Sequence, residues 1–180
     1  MENGIDRREA IKRTAIIMGC TLSGGLVTAV LKGCAPNRDS DWIPSLFSQK
    51  QLQVAADLAE VILPETETPG AKSAKTERFI DSMAADWMAP EEREILLNGI
   101  NRLADVGFTD LSFEDQNRAA ARLISDDEGA RFFRLFKQVT LLGFFTSETG
   151  ATQVLNYDPV PGSYSGCISL EEAGGRTWAT

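Results

Sequence analysis

The stretch DDEGARFFRLFKQVTLLGFF, residues 126–145, decides the fold. Asp126, Asp127 and Glu128 stand where a helix start favours negative charge, because the free amides of the first turn and the macrodipole present positive potential there. Phe132, Phe133, Leu135, Phe136, Val139, Leu142, Phe144 and Phe145 follow at helical spacing, which predicts the longest helix of the chain. Phenylalanines so spaced are read as core rather than as a cofactor pocket, with the Phe144–Phe145 end placed to reach a partner.

Upstream, the same pattern recurs. Ser48 with Gln51 has the form of a capping box, and Leu52, Ala55, Ala56, Leu58, Ala59 and Ile62 keep helical spacing up to Pro64. Residues 65–71 are a turn rich in Pro, Thr and Gly. A second helix is expected from about Lys75 to Met88, with Phe79, Ile80, Met83 and Trp87 on one face. Pro90 suits a first helical turn, and Ile95, Leu96, Ile100, Leu103 and Val106 mark a third. Ser112 is placed to cap a fourth, through Ala119 and Leu123 to Ile124. No alternating strand pattern of useful length separates them, so the fold class is all-α, a single small domain of about five helices over residues 48–147.

Beyond Gly150 the composition changes. Residues 157–167 hold two prolines among glycines and tyrosines, which opposes a helix and predicts an extended, ordered C-terminal strap over 148–180. Such a strap must lie against something, either its own bundle or a partner that takes its aromatics. The residues expected at a partner interface are Phe144, Phe145, Tyr157, Pro159, Pro161 and Tyr164.

The other end of the chain reads as an export signal. Arg7 and Arg8 precede Ile11 and Lys12, and an uncharged segment follows from Thr14 to Leu31. Gly19, Thr21, Ser23, Gly24 and Gly25 make that segment less apolar than a stable membrane span, so it reads as a signal of the twin-arginine route, which carries proteins across already folded, rather than as an anchor. Leu31-Lys32-Gly33-Cys34 resembles a bacterial lipobox, so that Cys34 would begin the mature chain and carry lipid; cleavage nearby with an incidental Cys34 is the alternative. Residues 1–34 are thus read as signal and 35–47 as a polar tether, which puts the domain in the periplasm on a membrane anchor.

Charge and missing residue types exclude several functions. Five of the 18 basic and three of the 26 acidic residues lie in the first 34, leaving 13 against 23, a net charge of -10. That opposes nucleic-acid binding, which needs a basic face to displace counterions. The chain has no histidine, and Cys167 is the one cysteine after Cys34. No Ser-His-Asp or Cys-His arrangement, axial haem histidine or cysteine metal cluster can be built, so no catalytic, cofactor-binding or metal residue is assigned.

Arg7-Arg8 with the lipobox-like cysteine, the run from Leu58 to Pro64 followed by Thr68-Pro69-Gly70-Ala71, and the run from Leu142 to Glu148 leading to Tyr157-Asp158-Pro159-Val160-Pro161-Gly162 together resemble the gluconate 2-dehydrogenase subunit 3 family. The resemblance spans nearly the whole chain. It implies a non-catalytic small subunit of a periplasmic dehydrogenase complex. A large flavoprotein subunit of the glucose-methanol-choline type would bring FAD and oxidise a sugar or sugar acid, and a cytochrome c would take the electrons onward through its haem. This chain would bring the export signal and a docking surface.

Two chemical patterns are set aside. Residues 70–76 echo a phosphate-binding loop, but no glycine precedes Lys75 and no strand leads in. Glu60, Glu65 and Glu67 are read as a helix end and a solvated turn rather than as paired catalytic carboxylates. The alternative to an accessory subunit is a free-standing periplasmic lipoprotein that binds a small molecule or an envelope protein.

Overall fold

Helix starts in this chain are fixed by side chains that take up the amides a first turn leaves unpaired. A computed structural model describes residues 42–160, 162 and 167–179. Arg7, Arg8, Cys34, Pro161 and Tyr164 lie outside the described residues. Residues 44–180 form one unit, to which every element below belongs.

Helix α1 spans Gln49–Ile62. The Ser48 hydroxyl accepts from Gln51 N at 3.3 Å and the Gln51 side chain accepts from Ser48 N at 2.8 Å, closing the expected capping box. Helix α2, Thr76–Asp86, starts after Lys75 in the left-handed region at φ 53°. Helix α3, Pro90–Asp105, has proline at its first position, where a missing N–H costs nothing, and Glu92 reaches back to accept from Ala89 N at 3.3 Å. A 3₁₀ turn, Phe108–Asp110, leads to α4, Phe113–Leu123, whose cap Ser112 accepts from Asp115 N. Helix α5, Asp127–Phe145, is the longest among the described residues, and Asp126 caps it by accepting from Gly129 N at 2.7 Å. A π-helical turn, Gly150–Val154, follows. Among the described residues there is no strand, only an isolated parallel bridge between Asn156 and Trp178, so the domain is all-α with five α-helices. No described helix is long and apolar enough to cross a membrane.

α1 and α5 each touch the other four helices. The core comprises Val54, Leu58, Ile80, Leu96, Ile100, Phe108, Phe132 and Phe136 among others, each large apolar side chain contributing about 1.5–3 kcal/mol on burial. Two glycines let helices approach closely. A Cβ on Gly99 of α3 would strike the Phe132 ring of α5, and one on Gly143 of α5 would sit 2.5 Å from the Phe79 ring of α2.

Four expectations are corrected here. Trp87 leaves the apolar face of α2 because the helix ends at Asp86; as C-cap it turns outward and is 80% exposed. Val106, the C-cap of α3, is exposed for the same reason. Phe144 is 3% exposed and belongs to the interior, its ring edge-on to Phe145 at 5.2 Å. The strap is extended only in part, since 150–154 coil into the π turn and 170–175 form a tight turn.

Candidate functional site

The 57–76 segment gathers around Glu60, in the last turn of α1. One carboxylate oxygen accepts from Glu65 N at 2.7 Å and the other from Lys72 N at 2.9 Å. Ala71 N donates to Leu63 O at 2.9 Å, and the buried Thr76 hydroxyl donates to Ala71 O at 3.0 Å. Lys72 also pairs with the buried Asp57 at 2.5 Å. Gly70 is required by space, because a Cβ there would lie 2.5 Å from Glu60 Oε1 and 2.6 Å from Glu65 N. The loop that echoed a phosphate-binding sequence is therefore folded onto a carboxylate, which an anion would have to displace. On the next turn of chain, burial pushes the Glu77 carboxyl up, against a backbone hydrogen bond and the nearby Arg78, Lys75 and Lys72, and its Oε2 has no hydrogen-bond partner.

At the other end of α5, Ser147 donates to Phe144 O at 2.6 Å and its hydroxyl accepts from Gly150 N at 3.0 Å. A Cβ on Gly150 would strike Phe144 O, so this turn too needs glycine. Asn156 then ties the strap to the C-terminal segment. Its N–H donates to Thr177 O at 2.8 Å, its carbonyl accepts from Ala179 N at 2.7 Å, and its Nδ2 donates to the carbonyls of Arg176 and Ala173. Arg176 closes the loop on Gln153 O at 2.9 Å. The return is made possible by Gly174 and Gly175 at φ 76° and 81°, a region side chains rarely adopt. Tyr157 (57% exposed), Pro159 and Val160 stand out on the extended part, and Trp178 (52%) on the paired segment.

Two open grooves flank these features. One, of about 430 Å³, is lined by Glu65, Thr66, Glu67, Thr68, Pro69, Ser73, Thr149 and Gln153, and so joins the turn after α1 to the turn after α5. The other, of about 440 Å³, runs between α3 and α4 with Leu103, Val106, Leu111 and Leu123 below Arg102, Arg118 and Arg122. Its guanidinium groups are partly engaged: Arg102 grips Asp126 at 2.6 Å and Arg118 grips Asp115 at 2.6 Å. The Arg102 hydrogen bond, with that from Gly129 N, holds the Asp126 carboxyl down at about 2. Among the described residues no group of three or more carboxylates or cysteines is set to hold a metal ion.

Of the residues expected at an interface, Tyr157 and Pro159 are exposed, Phe145 is half-buried and Phe144 is buried. Trp178 was not singled out from the sequence; the Gly174-Gly175 pair, which signals a chain reversal, was the clue to its return beside Asn156.

These features define a small all-α protein whose surface carries shallow grooves and an exposed aromatic C-terminal segment. The sequence matches the family Gluconate 2-dehydrogenase subunit 3 over residues 49–162, and the chain belongs to that family. The match begins with α1, takes in all five helices and ends in the strap. Comparison with curated proteins and with solved structures gives no match.

Proposed function

We propose that this chain is the non-catalytic small subunit of a periplasmic dehydrogenase complex, and that it exports, stabilises and anchors a large flavoprotein partner that oxidises a sugar or sugar acid. The family match over the whole helical body carries this reading, because the family is named as a subunit of a dehydrogenase. FAD belongs on the partner in this reading, and haem on a cytochrome c that receives the electrons. The exposed Tyr157, Pro159, Val160 and Trp178 supply aromatic and apolar area of the kind that anchors protein interfaces.

The twin arginines Arg7 and Arg8 and the lipobox-like Cys34 support export in the folded state followed by lipid attachment. A flavin is inserted into a folded protein, so a partner without its own signal would cross on this one. The test is co-expression with a glucose-methanol-choline type flavoprotein, reading dye-linked dehydrogenase activity in the periplasmic and membrane fractions. Arg7→Lys/Arg8→Lys is expected to leave the flavoprotein in the cytoplasm, and Cys34→Ala to release the complex from the membrane. Undiminished periplasmic activity with the arginine pair replaced refutes the export role. A chain that purifies alone and never retains flavin refutes the subunit role.

A further inference from the structure

Several cations among the described residues are engaged within this acidic protein: Lys72, Arg102 and Arg118 in ion pairs, and Arg93 and Arg176 on backbone carbonyls. Arg131, Arg134 and Lys137 are different. They follow one another at three-residue intervals on exposed positions of α5, and none has a hydrogen bond or ion pair among the described residues. Their helix buries Phe132, Phe136, Val139, Thr140 and Gly143 on the opposite side. The outward face therefore continues from Arg131 and Arg134 past Gln138 to Leu142, which is 49% exposed, and to the half-buried Phe145. Beside its charged half a groove of about 270 Å³ opens between α5 and α3, with Ile95 and Leu135 in it and Glu92 as its one acidic side chain.

We propose that this face of α5, cationic at Arg131 and Arg134 and apolar at Leu142 and Phe145, is a docking strip for a carboxylate-bearing segment of the catalytic subunit. The inference rests on the reading given under Proposed function. Charge complementarity selects the occupant: unpaired guanidinium groups on a protein of net negative charge match carboxylates, and arginine holds a carboxylate with two parallel hydrogen bonds. The groove favours a protein segment over a lipid headgroup layer, since it takes protruding side chains, and the apolar end matches a protein surface where charge gives way to hydrophobic contact. The negative charge of the rest of the domain repels an anionic membrane.

The experiment is co-expression of the full chain with the flavoprotein and affinity capture on this chain, reading bound flavin by absorbance at 100 and 400 mM salt. Arg131→Glu/Arg134→Glu is expected to cut captured flavin about tenfold or more, with helical content and melting temperature unchanged. Arg131→Lys/Arg134→Lys is expected to keep most of it, and Lys50→Glu, an exposed cation on α1, all of it. Higher salt should weaken the wild-type complex and leave the reversed variant where it is. If the wild-type chain captures no flavin, the subunit reading fails and this inference falls with it. If the wild-type and reversed chains capture equal flavin, the subunit reading stands and the strip alone is refuted. Retained flavin with lost sedimentation on anionic vesicles also refutes it and assigns the face to lipid.

Discussion

Asp81 is the side chain on which the entry of the chain into the bundle depends. It lies on α2, is fully buried, and accepts three successive backbone N–H groups from the segment leading into α1: Ser45 N at 2.6 Å to Oδ2, and Leu46 N at 3.1 Å and Phe47 N at 2.7 Å to Oδ1. Hydrogen bonds to a charged group contribute about 1.5–3 kcal/mol each when removed singly, and three on one carboxylate are less than additive. Asp81→Asn keeps one acceptor oxygen but aims an NH₂ group at Ser45 N, a donor facing a donor, for an expected loss of about 2–4 kcal/mol. Asp81→Ala orphans all three amides and leaves a small cavity, for about 3–5 kcal/mol. Urea unfolding measures both through the midpoint at unchanged slope. Native-state hydrogen exchange should also show the amides of residues 45–47 losing protection before those of α5. An Asp81→Asn variant within about 0.5 kcal/mol of wild type would refute the claim that this carboxylate holds the segment.

Gly99→Ala gains about 1 kcal/mol of helix propensity but drives a methyl into the Phe132 ring, so a net loss of about 1–3 kcal/mol is expected, recovered in part by adding Phe132→Leu; a double-mutant cycle in urea measures the coupling. Burial raises the Glu77 carboxyl above its ordinary 4.5, so the folded state holds that proton to higher pH than the unfolded chain and stability falls as pH rises through the raised value; Glu77→Gln should be more stable at pH 7 and flatten the urea midpoint between pH 4 and 7. Asp126 is shifted the other way, from 3.8 to about 2, so its contribution is complete above its unfolded value and disappears as pH falls toward 2. Asp126→Asn keeps the cap on Gly129 N but not the ion pair with Arg102, and should remove that acid limb from a pH titration of stability.

Helix starts and the core were legible in the sequence because each is written in nearby residues. Ser48, Pro90, Ser112 and Asp126 stand where capping chemistry requires them, and the phenylalanines of α5 keep one period over the whole helix. Helix ends were less so. Trp87 and Val106 continue the apolar pattern beyond the last helical residue, and only the backbone angle of the C-cap turns them outward. Phe144 and Phe145 are neighbours with opposite fates, since 100° of rotation separates a buried position from a half-exposed one. The surface at the C-terminus depends on Asn156 meeting residues 173–179, a contact across some twenty residues in which Gly174-Gly175 marks the reversal but nothing local names the partner.

Carboxylates in turns invite a catalytic reading, and their geometry here argues for a different one. A general base needs a free lone pair within reach of a substrate proton, and a general acid needs a carboxyl that keeps its proton near neutrality. Glu60 has each oxygen on a separate backbone amide, Glu65 accepts the Ser73 hydroxyl at 3.0 Å, and Asp81 holds three amides with two oxygens. Glu77 is the carboxyl with the opposite environment, half-buried on the first turn of α2 with one oxygen that has no hydrogen-bond partner. Glu60 thus acts on this chain's own backbone and Glu65 on the Ser73 hydroxyl, fixing the loop whose far side forms the groove with Thr149 and Gln153. Substituting Glu60 should accordingly move the stability of the domain and the shape of that groove together.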